Sequence, residues 1–360
     1  MLYEYLFSLH DEYSVFNVFR YITFRTALAV MTALFFCLVL GPITIKRMRL
    51  LSVNQQIRQD GPPTHHKKYG TPTMGGLFIL ASIILTILLW GNLHNKYIWI
   101  MLLATTGYGL IGFLDDYLKL TKKNPKGLRG WYKLTGQIAI ALAVTLSLYY
   151  DIEDPFNSML SVPFIKDWII DLGAFYIPFA ILVIVGSSNA VNLTDGLDGL
   201  AIGLVAIAIL ANAIILYISG HYELAKYLQI IYLPSRGEMA VFCGAIFGAS
   251  LGFLWLNCHP AQVFMGDVGS LSLGGALGTI AVITKHEIVL ALVGAIFVME
   301  ALSVMLQVVS FKTTGKRVFK MAPIHHHFEM KGWHESKVIV RFWIIGIVLA
   351  LLSLATLKLR

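Results

Sequence analysis

The chain has 360 residues, 57% of them hydrophobic and only 13% charged, with a net charge of +8 and a mean hydropathy of +0.72. A soluble domain carries about 25% charged residues, so the composition argues against a water-soluble enzyme and for a polytopic membrane protein. The three cysteines, Cys37 and Cys243 inside apolar blocks and Cys258 in a short loop, make neither a disulfide framework nor a metal knuckle.

The first 20 residues carry Glu4, Asp11, Glu12 and Arg20 and lack both a positive leading region and a small-residue cleavage site. They predict a short interfacial helix, not a signal peptide. Apolar blocks follow at about 26–45, 73–91, 97–114, 133–150, 172–190, 199–219, 239–256, 268–284, 288–309 and 338–357. A spanning helix needs roughly 20 mostly apolar residues, so these predict an all-α bundle of about ten transmembrane helices. The eighth, rich in Gly and Ser, is the weakest by composition. No internal repeat or low-complexity tract divides the chain, which reads as one domain over residues 1–360. Gly244, Gly248 and Gly252 form a small-residue ladder suited to close helix packing.

Basic residues orient the bundle. Loops after odd-numbered spans hold Lys46, Arg47, Arg49, Lys67 and Lys68, then Lys119, Lys122, Lys123, Lys126, Arg129 and Lys133, and finally a run from Lys312 to Arg341. The opposite loops hold only Lys96, Lys166, Lys226, Arg236 and Lys285. The positive-inside rule puts the odd loops in the cytoplasm and both termini outside.

Acids on the outer side, among them Asp151, Asp154, Asp171, Glu238 and Glu287, read as solvated loop charge. The cytoplasmic ones differ. Asp115 and Asp116 close the third span, Asp195 and Asp198 lie between spans five and six, and Asp267 opens span eight. Carboxylates at the ends of apolar helices are costly unless paired or bound to metal. One or two carboxylates plus substrate phosphates make a Mg²⁺ site, and the surrounding Lys and Arg suit polyanions.

Blander readings stand beside these. Asp267 or Asp195 alone could be a helix cap. Against that, Asn192, Asp195 and Asp198 are three apart and share one face on a helical path, with Gly196 and Gly199 permitting close backbone approach. Adjacent Asp115 and Asp116 repel each other at a helix C-terminus, where the dipole disfavours negative charge; a cation or a proton-transfer role would account for them.

In the last cytoplasmic loop, His325, His326 and His327 are consecutive, so at most His325 and His327 converge, and only if extended. Phosphate donation or a supporting role beside Mg²⁺ suits them better than zinc, and solvated surface histidines are the plain alternative. The first cytoplasmic loop, dense in Pro, Gly and Lys, brings Lys67 and Lys68 to the membrane surface as a wall of a phosphate site or a lipid-headgroup contact. Glu300, near the middle of the ninth block, must be protonated or hydrogen-bonded there and has no evident role.

Five motifs in order carry a resemblance over essentially the whole chain: Gly-Thr-Pro-Thr-Met-Gly-Gly (70–76), Phe-Leu-Asp-Asp-Tyr (113–117), Asn-Ala-Val-Asn-Leu-Thr-Asp-Gly-Leu-Asp-Gly-Leu (189–200), Phe-Met-Gly-Asp-Val-Gly-Ser (264–270) and Ala-Pro-Ile-His-His-His-Phe-Glu (322–329). The chain resembles the polyprenyl-phosphate N-acetylhexosamine-1-phosphate transferases, and within them the branch that uses N-acetylmuramoyl-pentapeptide. That resemblance implies transfer from UDP-N-acetylmuramoyl-pentapeptide to undecaprenyl phosphate, giving lipid I and UMP. It also implies Mg²⁺, the bacterial inner membrane with its lipid as surroundings, a homodimer, and no nucleic-acid partner. By position, Asp267 matches the Mg²⁺ ligand and Asp115 and Asp116 the essential aspartate pair. Lys68, Asn192, Gly196, Leu197, Asp198, Asn257 and Phe264 match the nucleotide pocket, with Phe264 stacking on uracil, and His325 and His326 the histidine motif at its edge.

Two rivals remain. A sister enzyme would transfer N-acetylglucosamine-1-phosphate to the same lipid; the intact histidine motif favours the muramoyl-pentapeptide substrate. An ion-coupled transporter would place its acids near the midplane in repeated halves, whereas these lie at one membrane edge.

Overall fold

The computed structural model describes residues 2–50, 70–122, 127–151, 154–163 and 168–358. A short helix α1 (Leu2–Ser8) and two 3-10 turns lead into α2 (Ile22–Leu50). The bundle continues with α3 (Gly76–Trp90), α4 (Lys96–Thr121), α5 (Gly130–Tyr149), α6 (Tyr176–Thr194), α7 (Leu200–Ser219), short α8 (Tyr222–Leu228), α9 (Met239–Asn257) and α10 (Gly266–Thr284). It closes with α11 (Glu287–Val293), α12 (Ala295–Thr314), α13 (Ile324–Glu329) and α14 (Glu335–Thr356). Between α5 and α6 an antiparallel hairpin pairs β1 (Met159–Ser161) with β2 (Ile169–Asp171), Leu160 opposite Ile170.

Among the described residues nine helices are long and apolar enough to cross a membrane, so the chain is a polytopic helical membrane bundle. The second apolar block departs from expectation: its helix, α3, has 15 residues, because the segment before it is held by backbone pairing with Phe264, ahead of α10. The ninth block also departs. It is two helices, α11 and α12, separated at Gly294.

α10 is the hub. Every residue of it after Asp267 is buried, walled by α3, α4, α6 and α7. This explains its low hydropathy: it meets protein on all sides and lipid on none. In lipid the helices gain little from apolar burial as such, and close packing of small residues holds them together. A Cβ at Gly274 or Gly278 would run into α6, one at Gly275 into the Tyr108 ring, and one at Gly76 into the backbone of Gly269. The ladder of Gly244, Gly248 and Gly252 packs α9 in the same way against Thr26, Val30 and Cys37 of α2.

At the end of the bundle where α4 begins and α10 stops, Asp171 is exposed as the sequence suggests, but Asp154, Glu238 and Glu287 are buried. Glu238 is buried against the Arg25 guanidinium, and Asp154 against Arg236. Glu287 accepts from the Tyr176 hydroxyl. Lys285, also buried, donates to the Asn157 carbonyl at 2.9 Å and lies 4.0 Å over the Tyr176 ring. The loops fold back over the helix ends, and each buried charge is matched because an isolated one would be costly. Burial pushes the Glu287 carboxyl up to about 7 and the Lys285 ammonium down to about 8.

Candidate active site

At the opposite end, α4 delivers Asp115 and Asp116 and α10 delivers Asp267. Their nearest carboxylate oxygens all lie within 4.8 Å of one another. Asp115 and Asp116 are only 3% and 4% exposed. Helix contact at this depth depends on Gly112: a Cβ there would strike the Asp267 backbone, so any larger residue would lever α4 off α10 and pull the aspartates apart.

Asp267 is not a helix cap. The residue before the helix, Met265, makes no side-chain cap bond. The cap comes from α4 instead, where Asp116 Oδ2 accepts from the Val268 amide at 3.2 Å. Gly266 has φ of +72° and lies directly against that carboxylate, a position where a side chain would be both strained and obstructed. Asp116 is thus tied to the positive N-terminus of α10, while Asp115 shares Lys119 and Lys133 with Asp267.

Two lysines converge on the cluster. Lys119 Nζ lies 2.9 Å from Asp115, 3.5 Å from Asp116 and 2.9 Å from Asp267. Lys133 Nζ lies 3.4 Å from Asp115 and 2.7 Å from Asp267. Asp115 Oδ1 also accepts from the Leu128 amide at 2.5 Å. Three formal negative charges against two positive ones leave a surplus of one. Together with a hard, all-oxygen donor set, this fits a divalent cation such as Mg²⁺.

Hydrogen bonds continue outward from Asp267. Asn192 Nδ2 donates to it at 2.8 Å and to Ser270 at 2.7 Å. α6 ends two residues later at Thr194, so the single face predicted for Asn192, Asp195 and Asp198 does not exist. Asn192 stays with the carboxylate cluster. Asp198, past the break, turns to a separate group: its carboxylate accepts from the Ala261 amide at 3.1 Å and lies 3.2 Å from His259 Nδ1, while its own amide donates to Glu335 at 2.9 Å.

The break opens a loop carrying Asp195, Gly196, Leu197 and Asp198. Gly199, with φ of +82°, then starts α7. Asn257 fastens this loop to the one before α10, accepting from the Gly199 amide at 2.9 Å and donating to the Val263 carbonyl at 2.8 Å. Phe264 follows, its amide donating to the Pro72 carbonyl and its carbonyl accepting from the Gly75 amide, each at 2.9 Å. That pairing stitches the segment before α3 to the approach to Asp267. Lys68, four positions before Pro72, lies outside the described residues, as does Lys67.

The histidine motif is helical in α13, and this changes which histidines converge. His325 and His326 have ring centroids 4.1 Å apart, and a Cβ at Gly196 would meet Nε2 of both. His327 points away, accepting from the Lys320 amide at 3.1 Å. His326 Nδ1 lies 2.7 Å from Glu329; burial nonetheless holds this imidazole below the ordinary histidine range.

The sequence marks Lys119 and Lys133 only generally, among basic residues that set topology and suit polyanions, and does not single out His259 or Glu335. Spacing could have found Lys119, three and four positions after the two aspartates on one helix. Nothing local marks Glu335, whose role arises where α14 meets the loop after α6.

A bundle bearing three carboxylates, two lysines and a loop poised beside them at one membrane edge is the class of a polytopic transferase acting on phosphorylated substrates. Among known families, the model for glycosyl transferase family 4 matches residues 98–285. A phospho-N-acetylmuramoyl-pentapeptide-transferase signature matches residues 68–80. Phospho-N-acetylmuramoyl-pentapeptide-transferases from Thermodesulfovibrio yellowstonii, Pelobacter propionicus and Syntrophus aciditrophicus are 66%, 58% and 55% identical, each over all of this chain and all of the relative. The chain belongs to the phospho-N-acetylmuramoyl-pentapeptide-transferase family.

Proposed function

We infer that the chain transfers phospho-N-acetylmuramoyl-pentapeptide from its UDP-activated form to undecaprenyl phosphate, giving lipid I and UMP at the first membrane step of peptidoglycan synthesis. Full-length identity of 66% to a transferase of that name carries the reading. The same names favour it over transfer of N-acetylglucosamine-1-phosphate.

The reaction brings a phosphate monoester anion against a diphosphate. One pair of like unit charges 4 Å apart costs roughly 4 kcal/mol at an effective dielectric of 20, so neutralisation and positioning dominate. Lys119 and Lys133 are placed to cancel that charge. A phosphate monoester has a second pKa of about 6, so the lipid phosphate is mostly ionised and is itself a competent nucleophile. Its oxygen attacks the sugar-bearing phosphorus, the bond from that phosphorus to the bridging oxygen breaks, and UMP leaves with that oxygen and the electron pair. Asp115 removes any remaining proton or orients the attacking oxygen. Asp116, tied to the α10 amide, holds the two helices in register. Asp267, with the pair beside it, would hold Mg²⁺, which when bound neutralises diphosphate charge and polarises its oxygens. Gly196, Leu197, Asp198, Asn257 and Phe264 form the nucleotide side, to which resemblance adds Lys68, with His325 and His326 at its edge, while Asn192 serves Asp267.

The whole chain is read as one transferase domain, with this end cytoplasmic and both termini outside. Support comes from Lys122, Arg129, Lys316 and Lys331 in loops, and Lys312 in the last turn of α12, at the same bundle end as the aspartates. The homodimer implied by resemblance belongs to the same reading. The test is UMP release by the detergent-solubilised chain, offered each UDP-sugar with undecaprenyl phosphate. Release with UDP-N-acetylmuramoyl-pentapeptide, abolished by EDTA and restored by Mg²⁺, is the expected result. Preference for UDP-N-acetylglucosamine would overturn the substrate assignment.

A further inference from the structure

Glu300 has no part in the chemistry above, yet it is completely buried in α12. A carboxylate buried in a membrane bundle is costly unless something answers it. The break at Gly294 starts α12 six residues earlier, and what Glu300 reaches is the histidine helix. Its Oε1 lies 3.1 Å from His325 Nδ1, and its Oε2 accepts from the His325 amide at 3.5 Å. His325 is itself completely buried. The Nδ1 contact has ion-pair distance without hydrogen-bond alignment, and His325 Nε2 is buried with no hydrogen-bond partner among the described residues. On that far side of the ring stands Gly196, where an added Cβ would collide with Nε2 of His325 and crowd that of His326.

We propose that Glu300 is a positioning residue for the nucleotide loop: it fixes the His325 ring, and the ring fixes Gly196 and the turn that carries Leu197 and Asp198. A carboxylate beside Nδ1 favours the tautomer with its proton there, as in other carboxylate–histidine pairs. It also pins the backbone at position 325, so ring and helix are held from one group. Asp198 and Gly199 are held by Ala261, Glu335 and Asn257, whereas Gly196, which carries no side chain, meets the His325 ring. The inference rests on the nucleotide role given above to residues 196–198.

The test measures UMP affinity by calorimetry and steady-state kinetics on the full chain in detergent. Glu300→Leu, apolar and suited to a buried bundle site, is expected to weaken UMP binding and raise KM for the UDP-sugar about tenfold, with kcat lowered less than threefold. Glu300→Gln, able to accept from the same amide and Nδ1–H, should stay within threefold of wild type. Because the carboxylate acts through the ring, Glu300→Leu added to His325→Leu should cost nothing further. UMP affinity within threefold of wild type in Glu300→Leu, or losses that multiply in the double variant, would overturn the proposal. Should Glu300→Leu not fold, Gly196→Ala decides: with His325→Ala the clash is gone, so the double variant should bind UMP as His325→Ala alone does, and multiplied losses again refute it. Failure of wild type to bind UMP at all would instead remove the nucleotide reading itself.

Discussion

Replacing Asp267 by Asn should lower transfer by about 10³-fold, the scale on which loss of a preorganised charge-stabilising group acts. The side chain barely changes in size, so the expected loss is electrostatic. Asp267 is the meeting point of the site: Lys119, Lys133 and Asn192 all reach it. With Asn there, two carboxylates face two ammoniums and the surplus negative charge that would draw a divalent cation is gone. The Mg²⁺ concentration needed for half-maximal UMP release should rise as well. Unchanged turnover at saturating Mg²⁺ would show that the neutralisation argument is misassigned.

Asp115→Asn has the second largest expected effect, a fall in kcat of about 10²–10⁴-fold, the range for loss of a general base. Here the pattern matters as much as the size. Asparagine can still accept from the Leu128 amide, so the chain after α4 stays anchored. Asp115 is bonded to Leu128, Lys119 and Lys133, so KM for the UDP-sugar should hold within about threefold. Single-turnover and steady-state rates should fall together, as they do when an interaction made only in the transition state is removed. A sugar-phosphate adduct trapped on Asp115 or Asp116 would replace direct attack with a covalent route.

Much of this was legible from the apolar blocks, because a run of twenty apolar residues has few fates other than a span. The limits appeared where packing decides. α10 has the weakest block and the most central position, since Gly and Ser that lower hydropathy also permit close contact. The break at Gly294 leaves no strong composition signal, yet it determines that Glu300 meets His325. Asn192 and Asp198 parted company because α6 stops at Thr194, where a continuous helical phase had been assumed. Asp154, Glu238 and Glu287 looked solvated because their partners, Arg236, Arg25 and Tyr176, are distant in sequence or on other helices. The aspartates themselves were readable because charge at the end of an apolar helix is expensive, and cost points to use.

We read Asp115, Asp116 and Asp267 as one divalent-cation site served from two helices. Mn²⁺ binding followed by electron paramagnetic resonance, with UDP present and Mg²⁺ removed, tests it most directly. Wild type should bind one Mn²⁺ per chain, displaceable by Mg²⁺, and Asp267→Ala should bind none at the same concentration. Wild-type Mn²⁺ affinity in Asp267→Ala would show that the three carboxylates do not share a cation.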